Sequence, residues 1–206
     1  MSKPIQILYF SDPLCSYCWG TEPMLEKLKR EYGQYFEIEY KTGGMLPNWD
    51  VFFKENGATP AKVAQHWASA SKDIGIEIDG NVWLEDPPAS SYPPSIALKA
   101  AQLQGFQKSV DFYRRERQML FHEKINIAEK ANLLKAALES GLDVKKFEED
   151  FEGEAKILFE EDLELARKLH VDLFPTLFFN NLKGETIRIE GYYNYQKYVD
   201  ALLKLL

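Results

Sequence analysis

Strand-forming sequence occurs only near the two ends of this chain, and everything between about residues 60 and 152 reads as helix. Ile5-Gln6-Ile7-Leu8-Tyr9-Phe10 is short, β-branched and aromatic, with the near-continuous apolarity of a strand buried on both faces of a partly parallel sheet. Ser11-Asp12-Pro13 breaks it. Residues from about 17 to 32 read as a helix with Met24, Leu25 and Leu28 on one face. Pro23 is expected to kink that helix and Gly33 to stop it. Phe36, Ile38 and Tyr40 then alternate with Glu37, Glu39 and Lys41, as in a half-buried second strand. Strand signals return at Thr176 to Phe179 and, beyond a turn at Asn180 to Gly184, at Ile187 and Ile189. A long acidic helix precedes them, about 153 to 169, with Ala155, Leu158, Phe159, Ala166 and Leu169 inward. A last helix follows Gly191, with Val199, Leu202, Leu203 and Leu206 on one side.

The helical middle has its own punctuation. Pro94 suits the first turn of a helix carrying Ile96, Ala100 and Leu103 and ending at Gly105. Asn126 with Glu129 reads as a capping box, ahead of a buried stripe of Ile127, Ala131, Leu134 and Leu138. Asp143 caps a short successor with Val144, Phe147 and Phe151. Trp67, Trp83, Phe106, Phe112, Tyr113 and Phe121 are the expected core of these helices, and Arg114-Arg115-Glu116-Arg117 reads as a solvated face. With the helical middle set aside, the order β-α-β then α-β-β-α is that of a thioredoxin fold. The expectation is therefore an α/β protein: a thioredoxin-fold domain over 1–60 and 153–206, with an all-helical domain inserted over 61–152.

A chain of 206 residues can bury a core without disulfides or metals. Lys+Arg 25 against Asp+Glu 32 leaves a net charge of −7, a poor field for phosphate backbones, so no nucleic-acid partner is expected. No stretch approaches the ~20 apolar residues of a membrane span, and the Ile5–Phe10 run is too short for a secretory leader. A cytoplasmic location follows as an expectation, and in a reducing cytosol a structural disulfide has little reason to exist.

That draws attention to the only two cysteines. Cys15-Ser16-Tyr17-Cys18 lies just after the first strand, at the start of the first helix. Unpaired N–H groups and the dipole at a helix N-terminus favour a thiolate there. Cys15 is expected to be the exposed nucleophile, and Cys18, one turn further in, the resolving thiol. A zinc site is the weaker reading, because the other candidate ligands, His66, His122 and His170, are scattered. Incidental reduced cysteines packed as small hydrophobes are a second alternative. Phe174-Pro175-Thr176 sits immediately before the third strand. A trans bond is the default for Pro175; a cis bond beside the thiols would leave the Phe174 backbone free to pair with a substrate peptide. Tyr17, Trp19 and Phe174 could form an apolar collar for a partner, or simply pack in the core. Asp12 reads as a turn residue or a proton acceptor, and His170 as structural.

Asp12-Pro13-Leu14-Cys15-Ser16-Tyr17-Cys18-Trp19, with Pro23, Phe174-Pro175-Thr176 and Gly191, resembles the DsbA group of the thioredoxin superfamily. The resemblance implies that Cys15 attacks, Cys18 resolves, Pro175 is cis and Pro23 kinks the helix. Glu22-Pro23, Glu31-Tyr32-Gly33, Val82-Trp83-Leu84-Glu85-Asp86-Pro87, Leu103-Gln104-Gly105 and Gly141-Leu142-Asp143 are similar to the DsbA-like adaptor family called YjbH or SpxH. Relative to those adaptors the chain is expected to lack an N-terminal extension and a C-terminal segment. Ser16-Tyr17 differs from the Pro-His dipeptide of periplasmic DsbA, so a weaker oxidant is expected. The leading expectation is a cytosolic thiol–disulfide oxidoreductase acting on protein or small-molecule disulfides. It would use Cys15 and Cys18 with Tyr17, Trp19, Phe174 and Pro175 at the substrate, no cofactor or metal, and an external thiol as electron donor. The alternative is a protease adaptor or redox-sensing binding protein.

Overall fold

The computed structural model describes residues 3–206. Four strands, β1 (Ile5–Ser11), β2 (Phe36–Thr42), β3 (Thr176–Asn181) and β4 (Thr186–Glu190), form one sheet in the order β2-β1-β3-β4. β1 runs parallel to β2 and antiparallel to β3, and β3 pairs antiparallel with β4. Ile7 stands opposite Ile38 on one side and Phe179 on the other, which places the most apolar strand in the centre. Helix α1 (Ser16–Tyr32) leaves the end of β1. Between β2 and β3 run α2 (Trp49–Asn56), α3 (Pro60–Ile74), α4 (Val82–Glu85), α5 (Tyr92–Gln102), α6 (Phe106–Phe121), α7 (Lys130–Glu139), α8 (Val144–Glu152) and α9 (Glu154–Lys168). α10 (Tyr195–Leu205) closes the described chain.

Leu25 and Leu28 of α1 and Tyr198, Val199 and Leu202 of α10 pack on one face of the sheet, against Ile7, Tyr9 and Phe179. Ala166 of α9 and Val171 cover Phe10 and Phe178 on the other. The helical layer has a separate core in which Trp67 lies 5.1 Å from Trp83 and 4.5 Å from Phe121. No helix among the described residues is long and apolar enough to cross a membrane.

Several local expectations are corrected. The helical run begins with α2, earlier than expected, because Asn48 caps it by accepting from the Val51 N–H at 2.9 Å. The capping box at Asn126 does not form. The Asn126 side chain accepts from the Ala128 N–H instead, and α7 starts only at Lys130. That delay turns the helix, so Leu133, Ala136 and Ala137 are buried while Leu138 is exposed. Phe106 is exposed rather than core, and Tyr113 packs with the sheet. Leu203 and Leu206 face outward, and Leu205 takes their expected place in the core. Gly33 ends α1 without left-handed backbone; a Cβ there would run into the Lys29 carbonyl. Within the expected solvated face, Glu116 and Arg117 are fully buried.

Candidate active site

β1 delivers the chain into a tight loop organised by one carboxylate. Asp12 is buried, and its Oδ1 accepts from the Leu14 N–H at 2.9 Å while Oδ2 accepts from the Met45 N–H at 2.8 Å. Its carbonyl accepts from the Cys15 N–H at 3.1 Å. These bonds tie the loop ahead of Cys15 to the segment after β2. Burial pushes the Asp12 carboxyl up to about 6, against the pull of the two N–H donors.

Cys15 is the N-cap of α1, with extended backbone, and its Sγ accepts from the Cys18 N–H at 3.2 Å. The same thiol donates to the Phe174 carbonyl at 3.6 Å. The expectation of an exposed nucleophile is corrected here: Cys15 is only 6% accessible, with the Phe174 carbonyl over its thiol. Burial pushes its thiol up, proximity to Cys18 adds to the rise, and the Cys18 N–H pulls the other way. Cys18 is fully buried one turn along, its carbonyl accepting from the Tyr9 hydroxyl at 3.3 Å. No disulfide joins the two.

The Phe174–Pro175 bond is cis. The Pro175 carbonyl accepts from the Gly191 N–H at 2.7 Å, and Gly191, at φ +83, takes the left-handed backbone that suits glycine. The Phe174 ring lies directly on Gly43, where a methyl group would overlap it. Gly43 is a site residue that the sequence reading missed. Gly43→Ala is expected to push Phe174 off the thiol, cost about 1–3 kcal/mol by overpacking, and speed alkylation of Cys15 by iodoacetamide. Unchanged labelling would mean that Phe174 does not shield the thiol.

A cavity of about 760 Å3 opens beside Cys15, with Leu14, Tyr17, Met45, Phe52, His66 and Phe174 in its wall. Tyr17 stands at its edge, 5.7 Å from the His66 ring and 5.8 Å from Tyr192, and donates to Asp73 at 3.0 Å. From sequence His66 was weighed only as a scattered metal ligand and Tyr192 was not singled out, since neither falls in a local motif. Trp19 is not brought to this cavity. It stacks on Phe121 at 5.5 Å in the helical core, with the Arg117 guanidinium 5.6 Å from its ring.

Beneath the dithiol lies a buried polar layer. Arg117 pairs with Glu22 of α1 at 3.1 Å, donates to the Tyr113 carbonyl at 3.0 Å, and stands 3.6 Å over the Tyr113 ring. Tyr9, Tyr40 and Tyr113 are all held well above the usual phenol range, chiefly by burial. Beside them burial likewise pushes the Glu116 carboxyl well up, and neither of its oxygens has a protein partner among the described residues.

Fold and site together define a thioredoxin-fold protein with a helical insertion and a Cys-x-x-Cys pair beside a cis-proline. A family model described as Thioredoxin matches residues 8–200. Among solved structures, the chain is similar to the cytosolic disulfide reductase DsbM from Pseudomonas aeruginosa (TM-score 0.75, 19% identity, 98% of this chain and 100% of that one). It is also similar to a protein from Nitrosomonas europaea (TM-score 0.81, 23% identity, 99% and 96%). By sequence it is 44% identical to a ClpXP adapter protein SpxH from Halalkalibacterium halodurans, over 99% of this chain and 68% of that relative. The match to the Bacillus subtilis protein of the same name is 34%, with the same coverage. The chain belongs to the SpxH family of thioredoxin-fold proteins.

Proposed function

We propose that this protein is an adaptor that binds a client protein and delivers it to ClpXP, in the cytoplasm. The observation that carries this reading is the 44% identity to a named ClpXP adapter across 99% of the chain. The site agrees with binding rather than turnover: a buried, upshifted Cys15 thiol is a poor nucleophile at neutral pH, whereas the aromatic-rimmed cavity suits a protein surface. The test is degradation with purified components. The protein that co-purifies with the tagged chain in its host would be identified, and its half-life measured with ClpXP with and without the chain. A several-fold shorter half-life is expected. A client that binds yet decays at the same rate in both arms would overturn the adaptor role.

A second reading, thiol–disulfide exchange, is favoured by one feature: the cis Phe174–Pro175 segment places a carbonyl over Cys15. In that reading the Cys15 thiolate attacks a substrate disulfide and expels one substrate thiol. Cys18 then displaces the other, leaving the substrate reduced and the pair oxidised, and an external thiol such as glutathione restores it. Because Cys15 borders the cavity and Cys18 does not, limiting alkylation is expected to mark Cys15 first, and Cys18→Ala to trap mixed disulfides. Faster marking of Cys18 would reject these roles.

A further inference from the structure

β2 is an edge strand, and the two ends of its free edge differ. The Tyr35 carbonyl accepts from Ile5 and the Gly43 N–H donates to Ser11, so odd-numbered positions face β1. By the period of two, Phe36, Ile38, Tyr40 and Thr42 turn their N–H and C=O groups to the open side. Towards the end of β2 that edge is covered by side chains. Lys99 and Gln102 donate to the Tyr40 carbonyl at 3.2 and 3.1 Å, and the Thr42 N–H donates to Asp162 at 2.9 Å. Towards its start, no group among the described residues bonds to the outward backbone of Phe36 or Ile38.

That uncovered half borders a groove. A cavity of about 590 Å3 is walled by Lys3, Lys29, Phe36, Ile38 and Phe106. A second, of about 340 Å3, shares Lys29, Phe36, Ile38 and Phe106 with it and continues to Tyr40 and Val110, where its carboxylates are engaged: Glu22 with Arg117, Glu26 with Arg114, and Asp111 accepting from Gln107. Phe106 is 45% exposed. Lys29 stands 5.2 Å over its ring, and neither Lys29 nor Lys3 has a carboxylate partner among the described residues. The chain carries a net −7, yet at this end of the groove two cations meet only neutral acceptors, Lys3 donating to the Gly33 carbonyl at 2.7 Å and Lys29 to Gln107 at 3.5 Å. Glu37, which also borders the groove, is exposed and alternates to the other face of the strand.

We propose that this groove binds an extended acidic and apolar segment of a partner protein as an added strand beside β2. The segment's backbone pairs with the outward groups of Phe36 and Ile38, alternate apolar side chains pack on Phe106 and Ile38, and terminal carboxylates meet Lys3 and Lys29. That the partner is a protein rests on the adaptor reading. The docking surface itself is separate from the dithiol cavity.

The probe is a fluorescein-labelled peptide, Glu-Asp-Val-Thr-Val-Thr-Val-Asp-Glu, titrated into the full chain and followed by anisotropy. Saturable binding is expected, weaker by about tenfold or more for the counterpart with Lys and Arg at its ends. In the wild type, bound peptide is expected to slow amide exchange at Phe36, Ile38 and Tyr40 and leave Glu37 and Glu39 unchanged. Ile38→Pro removes an outward N–H without touching the ladder to β1, a replacement edge strands tolerate, and is expected to weaken binding about tenfold. Should that variant fail to fold, Lys29→Glu supplies the same decision: about threefold weaker binding at low salt, with the difference lost at high salt. No binding at millimolar peptide, equal binding of both peptides, or exchange that slows at Glu37 and Glu39 as well would overturn the proposal. So would a chain that sediments as a dimer, becomes monomeric with Ile38→Pro and ignores the peptide, because the edge then serves a second copy. The assay contains no protease, so its failure leaves delivery to ClpXP standing. Failed delivery with intact peptide binding condemns the adaptor reading alone.

Discussion

Arg117→Met is expected to cost about 3–5 kcal/mol of folding stability, because it strands a buried carboxylate without its partner. Arg117 and Glu22 are both buried, 3.1 Å apart, between the helix that begins at Cys15 and the helical layer. The guanidinium has further work in place: its Nε–H on the Tyr113 carbonyl and its face on the Tyr113 ring. For a chain of this length such a loss corresponds to a fall in Tm of roughly 10 °C or more. The effect should be non-additive. Glu22→Leu with Arg117→Met removes both charges and fills the space with apolar groups, so it is expected to restore most of the loss. Urea unfolding of the wild type, both single variants and the double variant measures this. A single variant within about 1 kcal/mol of the wild type would mean that the pair is not desolvated.

This buried pair also marks where the sequence stops being legible. The four strand segments and the placement of Cys15-Ser16-Tyr17-Cys18 could be read directly, since alternation and apolar continuity are local signals and so is a motif opening a helix. Arg114-Arg115-Glu116-Arg117 could not, because four charged residues in a row look alike while only the first two reach solvent. The helical phase that separates them is set by Phe112, Tyr113 and Leu120 packing inward, a tertiary fact. Nor could the cover over Cys15 be foreseen. It depends on a Phe174 ring seated on Gly43, a pair far apart in sequence and joined only by the fold. The N-terminal position of Cys15 on α1 was legible, and its electrostatic consequence was not, because burial opposes the helix end. Trp19 illustrates the same limit: adjacent to Cys18 in sequence, it points into a different core.

Asp12 is expected to make this protein more stable in mild acid than it would otherwise be. Burial holds its carboxyl at about 6 in the folded chain, above the ordinary 3.8. Between those values the native state binds more of this proton than the unfolded state does. The contribution is therefore full below about pH 3.8 and is lost as pH rises through about 6. At about 1.4 kcal/mol per pH unit, the total is about 3 kcal/mol. Other carboxylates titrate over the same range, so the quantity to measure is the difference between the wild type and Asp12→Asn. Asparagine keeps an acceptor for the Leu14 N–H and sets an amide against the Met45 N–H, a pH-independent penalty that offsets the curve without tilting it. Unfolding free energies from pH 4 to pH 8 should show the wild type losing about 2.5 kcal/mol relative to the variant, nearly all of it below pH 6.5. A difference that stays flat would mean that Asp12 is ionised throughout, with water reaching the loop ahead of Cys15. A difference of the opposite sign would mean that the Leu14 and Met45 N–H groups outweigh burial.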